Sequence, residues 1–228
     1  MKFPGILLPI AILFLIYPSH SAAQQKKQEA SAAIGALLEV AKKGDAKSQV
    51  DLAKAYLSGL GVQQNFVEAA KWYRKAANQG NAESQGELAY MYYKGQGIPQ
   101  DYAQAAFWAR KGADQGDANA QSALGVLYYE GSGVPQDYAK AAKWYRKAAD
   151  QGYAKAQYNL GNMYYAGTGV KQDYIQAHMW TNLSTAGLKG KQQEIATVLR
   201  GMIAKKMTPQ QISEAQGLAR EWKPKLAK

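Results

Sequence analysis

Between residues 118 and 130, Ala118, Gln121, Leu124, Gly125 and Tyr128 fall at steps of three and four. That spacing puts them on one face of a helix. Tyr138, Ala141, Ala142, Tyr145, Ala148 and Ala149 repeat the same period a little further on. Between the two runs stands Gly131-Ser132-Gly133-Val134-Pro135-Gln136-Asp137. Its first glycine suits the left-handed residue that ends a helix. Its second permits a tight reversal, Val134 is a hydrophobic plug, and Asp137 can accept hydrogen bonds from the next helix's free N–H groups. The pattern predicts a helix A, a tight turn and a helix B.

The unit recurs. Trp72, Trp108, Trp144 and Trp180 are spaced by 36 residues, as are Gly44, Gly80, Gly116 and Gly152. The Gly-x-Gly pairs at 59/61, 95/97, 131/133 and 167/169 keep the same interval. Asp45, Asn81 and Asp117 are candidate caps for helix A, and Tyr153 takes that place in the fourth copy, which predicts a weaker start. Asn65, Asp101, Asp137 and Asp173 are candidate caps for helix B. A single hairpin cannot bury its apolar face, but stacked neighbours can. The expected fold is therefore all-α, a right-handed solenoid of stacked helix-turn-helix repeats, with units at 46–81, 82–117, 118–153 and 154–189.

The ends need modified units. Residues 24–45 are expected to hold an N-terminal capping helix, because Ala33, Ile34, Leu37 and Ala41 align with Ala69, Ala70, Tyr73 and Ala77. Residues 190–228 read as a degenerate capping pair, and Thr208-Pro209-Gln210-Gln211 has the residues of a capping box with proline in the first turn. That makes eleven helices. Before them, Lys2, an uncharged apolar stretch from Gly5 to Tyr17, and Ser21-Ala22-Ala23 have the layout of a signal peptide cut after residue 23. The expected location is outside the cytoplasm, the periplasm before full secretion. The apolar stretch is too short for a span of about 20 residues, so no stable transmembrane segment is expected after processing.

These units are similar to Sel-one-like repeats, a tetratricopeptide-like family. The pattern Ala-x-x-x-Leu-Gly-x-x-Tyr-x-x-Gly-x-Gly-Val-x-x-Asp-x-x-x-Ala-x-x-Trp-x-x-x-Ala-Ala-x-x-Gly is fullest at 120–152 and 156–187. The ending at 207–222 resembles a terminal cap of bacterial members. The resemblance implies an adaptor that holds protein partners, and an envelope location. Some cysteine-rich relatives are described as β-lactamase-like. The paired cysteines that define them are missing here.

Composition narrows the chemistry. The 228 residues include no cysteine and only two histidines, His20 and His178. Disulfides, thiolate metal sites, cysteine nucleophiles and multi-histidine metal sites are excluded. No serine has lysine three residues on, as Ser-x-x-Lys requires, and no Gly-x-Ser-x-Gly elbow occurs. The Gly-x-Gly pairs follow helices, whereas a dinucleotide fingerprint follows a strand. Glu83 and Glu87, one turn apart, read as a solvated face, and His178 as a hydrogen-bonded structural residue at a packed position. No catalytic residue, metal or cofactor is expected, and a β-lactamase-like hydrolase is the remote alternative.

The formal net charge is +11, and residues 190–228 alone carry eight basic and three acidic side chains. Export makes nucleic acid an unsuitable partner. The excess charge suits an anionic envelope polymer or lipid, an alternative partner for the C-terminal end. The main expectation is a protein or peptide segment on the inner, helix A surface. Tyr90, Tyr93, Val126, Tyr129, Tyr158, Asn162 and Tyr165 are its candidate residues, in a groove with a polar centre and lysines at either end. Tyr93, Tyr129 and Tyr165 recur between copies, so packing between repeats explains them equally well.

Overall fold

The computed structural model describes residues 31–225. The expected signal sequence, 1–23, lies outside the described residues. Among those described the chain forms eleven helices and no strand. They are α1 (31–42), α2 (Ala46–Ser58), α3 (Phe66–Asn78), α4 (Ala82–Lys94), α5 (Tyr102–Asp114), α6 (Ala118–Glu130), α7 (Tyr138–Asp150), α8 (Ala154–Ala166), α9 (Tyr174–Gly187), α10 (Gly190–Ala204) and α11 (Pro209–Glu221). From α2 to α9 they alternate as helix A and helix B of four consecutive repeats in a solenoid.

Local chemistry sets the ends. The side chains of Asp45, Asn81 and Asp117 accept from the backbone N–H groups of Ser48, Ser84 and Ala120. Tyr153 makes no such bond at the start of α8. Asn65, Asp101, Asp137 and Asp173 cap the B helices in the same way. Gly131 closes α6 in the left-handed region at φ 74°. At the far end Thr208 and Gln211 form both bonds of a capping box, with Pro209 in the first turn.

Small residues let the helices approach. An added β-carbon on Gly125 would lie 2.6 Å from the Tyr145 ring of the paired helix B. The B helices pack through alanine: Ala69, Ala70, Ala76 and Ala77 in α3, and Ala141, Ala142, Ala148 and Ala149 in α7, are all buried.

Polar side chains join each repeat to the one before. Gln49, Gln85, Gln121 and Gln157 are buried, and their Nε2 groups donate to the carbonyls of Ala41, Ala77, Ala113 and Ala149 at 3.0, 3.1, 3.3 and 3.2 Å. The first three accept in turn from Gln79, Gln115 and Gln151 at 2.7–2.8 Å. Each glutamine thus ties its own hairpin to the last turn of the preceding helix B. A buried amide without such partners would cost about 1–3 kcal/mol. Arg74, Arg110 and Arg146 donate to the hydroxyls of Tyr92, Tyr128 and Tyr164, each on the next repeat's helix A.

The second glycine of the last three turns does more than permit a reversal. In Gly97, Gly133 and Gly169 it lies against the first residue of the preceding repeat's helix B, and an added β-carbon would overlap the backbone of Phe66, Tyr102 and Tyr138 respectively. These glycines also hold φ between 68° and 73°. The array ends with Trp222 edge-on to Trp180 at 6.2 Å, and Lys225 bonded to the Asp150 carbonyl and carboxylate.

Replacing Gly133 by alanine should therefore lower stability in denaturant by about 2–4 kcal/mol, combining backbone strain with overlap. Gly201 lies in α10 with nothing within 4 Å of an added β-carbon, so Gly201→Ala should raise stability by about 0.5–1 kcal/mol.

Candidate functional site

The A helices share a surface on which two recesses meet. The first, about 220 Å³, spans three repeats. Tyr90, Tyr93 and Lys94 come from α4, Asn119, Ser122 and Val126 from α6, and Tyr153, Lys155 and Asn159 from α8 and its cap. The second, about 320 Å³, lies between α8 and α10 and is lined by Lys155, Tyr158, Asn159, Leu188, Gln192 and Ile195. Lys155 and Asn159 border both.

Of the candidate residues, Tyr90, Tyr93 and Val126 come together in the first recess, and Tyr158 lines the second. Tyr129, Asn162 and Tyr165 line neither. Tyr93, Tyr129 and Tyr165 are half-buried, and each ring packs on the tyrosine that opens its own helix B, Tyr102, Tyr138 or Tyr174, at 5.8, 5.1 and 6.0 Å. Burial, and then the hydrogen bond that it donates to the Glu130 carboxylate at 2.8 Å, push the Tyr93 hydroxyl up to about 12. Tyr90 is 40% exposed. Tyr158 packs partly on the Ala177, Leu199 and Ile203 cluster.

Two expectations about this surface need correction. The groove does not carry its lysines only at its ends, because Lys155 lies where the two recesses join, and Lys54 is engaged with Glu83 at 2.6 Å. Glu87 is not a solvated carboxylate: it is half-buried because the next helix A lies beside it, and it accepts from Asn119 Nδ2 at 2.9 Å.

Asn119 Oδ1 in turn accepts from the Tyr153 hydroxyl at 2.8 Å. The chain Tyr153–Asn119–Glu87 therefore links the cap of α8 to α6 and α4. Burial, then Glu87 and Asp117, push the Tyr153 hydroxyl up to about 12. Burial, then Glu83 and Asp117, raise the Glu87 carboxyl above the ordinary carboxylate range. Sequence reasoning saw Tyr153 only as a missing cap. Its departure from the Asp or Asn of the other copies was the available signal.

The Sel1 repeat profile matches residues 46–81, 82–117, 118–153 and 154–186. The chain belongs to the Sel1 repeat family. Sel1 repeats typically mediate protein interactions. A Sel1 repeat protein from Oxalobacter formigenes is similar in structure, with a TM-score of 0.71 and 30% identity over 87% of this chain and 78% of that one. The uropathogenic Escherichia coli protective antigen c5321, described as having an SLR fold, aligns at a TM-score of 0.49 and 28% identity, covering 84% of this chain and 56% of that one. No curated protein matches the chain.

Among the described residues of this Sel1 repeat chain, no group of three or more His, Asp or Glu side chains could hold a metal ion. No described helix is long and apolar enough to cross a membrane. His178 is buried, yet its Nδ1 has no hydrogen-bond partner among the described residues, contrary to the expected bonded role. Burial, then Arg200, lowers its affinity for a proton, so the ring is held neutral in a position where the other repeats have alanine.

Glu87 sets a pH dependence. Its raised value means that the folded state binds the proton more tightly than the unfolded chain does. Its stabilising contribution is therefore full at acid pH and is lost as pH rises through the folded value. Glu87→Gln keeps an acceptor for Asn119 without the charge. It should raise the melting temperature at pH 7 by a few degrees and leave it nearly unchanged near pH 4.

Proposed function

We propose that this chain is a non-catalytic adaptor, exported to the bacterial periplasm, that binds a segment of another protein on its helix A surface. The observation that carries the reading is the recess spanning α4, α6 and α8, rimmed by Tyr90 and floored by Ala89, Ala123, Val126 and Leu127. Tyrosine offers apolar area and a hydrogen-bonding tip at low rotamer cost, and such residues dominate protein-binding surfaces. Asn119 and Asn159 add groups that can bond a peptide backbone. Tyr90, Asn119, Ser122, Val126 and Asn159 stand where the other copies have different residues, whereas the buried glutamines and the turn glycines recur. The framework is shared and the lining is particular.

A contact with an anionic envelope polymer through residues 190–228 is the second reading, supported by their eight basic against three acidic side chains. It requires binding that weakens steeply with salt.

A photocrosslinking residue in place of Tyr90, in intact cells, should trap a discrete protein. Trapping only polymer or lipid would overturn the adaptor reading. Tyr90→Ala should weaken binding of the trapped partner about tenfold or more with melting nearly unchanged. Tyr93→Ala should cost stability instead, about 1–3 kcal/mol, because it loses the Tyr102 contact and the Glu130 hydrogen bond.

A further inference from the structure

Helix α10 continues the groove. Stepping by 36 residues carries Glu87, Tyr90 and Lys94 of α4 to Ala123, Val126 and Glu130, then to Asn159, Asn162 and Ala166, and then to Ile195, Val198 and Met202. At this last step the stripe becomes wholly apolar, and it is open: Ile195 is 46% exposed, Val198 63% and Met202 47%. These side chains do not hold α10 in place. Ala196, Leu199 and Ile203, on the neighbouring face, are buried and do so. Ile195 lines the recess that runs back to Lys155, Tyr158 and Asn159, so stripe and recess form one surface.

Its charge points to one kind of occupant. Lys155 is the only charged side chain lining the recess. Residues 189–206 carry Lys189, Lys191, Arg200, Lys205 and Lys206 against the single carboxylate of Glu194. A second copy would bring two such basic surfaces together in a chain of net charge +11. A flat lipid surface would leave the recess unfilled. A protruding apolar side chain with carboxylates beside it satisfies both features.

We propose that α10 and the adjoining recess dock an acidic, amphipathic segment of a partner protein. One large apolar side chain enters the recess against Leu188 and Ile195, others cover Val198 and Met202, and carboxylates face Lys155 and the lysines of 189–206. The proposal rests on the reading of the A-helix surface as a docking groove, and extends it onto the end cap.

Random linear peptides displayed in a library and selected on the purified full chain test this. The expected winners combine Asp or Glu with Leu, Ile, Phe or Met. A synthesised winner should lose about tenfold in affinity with Val198→Asp and with Lys155→Glu, while both variants melt like the parent. Winners rich in Lys or Arg, or affinity unchanged in both variants, overturn the proposal. So do binding to vesicles of phosphatidylglycerol and phosphatidylcholine without any selected peptide, and a dimer that dissociates with Val198→Asp. Affinity lost with Tyr90→Ala but kept with Val198→Asp would leave the groove standing and sink its extension. Failure to enrich any peptide would sink both.

Discussion

The contact on which the array depends is backbone against backbone. In the second, third and fourth repeats the turn from helix A to helix B rests on the opening residue of the previous helix B, at a distance that excludes even a methyl group at Gly97, Gly133 and Gly169. Side chains can adjust, but a main chain lodged in this way cannot. The contact therefore fixes how far one hairpin slides and tilts over the next. The positions of the A helices follow, and with them the width of the recess they share.

The buried glutamines work on the same joint by a different physics. Apolar packing between alanine-rich helices is tolerant of small slips, because area is lost gradually. A buried amide bonded on both sides is not, because a slip strands a donor and an acceptor out of reach of water. Gln85, for example, must meet Ala77 and Gln115 together. The fourth repeat has Gly187 in place of the partner glutamine, so the joint nearest α10 lacks the second half of this lock. Trp222 on Trp180 and Lys225 on Asp150 act there instead.

What the sequence showed plainly was local. Helix starts at Asp117 or Asp137, the stop at Gly131 and the box at Thr208 depend on neighbours within a few residues, and the interval of 36 made the stacking legible. What it hid depends on residues a whole repeat away. Glu87 looked solvated because Asn119 lies 32 positions on. Tyr93, Tyr129 and Tyr165 could be groove or packing until their aromatic partners were placed. Lys155 stands mid-groove only once α8 and α10 are set side by side. His178 was legible as buried, but its missing partner is a matter of angles that periodicity does not carry.

A joint that repeats identically also makes length negotiable. Excising or duplicating one whole unit within 46–153 would bring together the same glycine, glutamine and arginine contacts that are already there, now between different copies. Slippage during replication could thus lengthen or shorten the array in whole steps without exposing a raw edge. The particular lining of the recess, drawn from three different copies, would be scrambled by the same event. Descendants of such a chain could keep their architecture and change their clientele in a single generation.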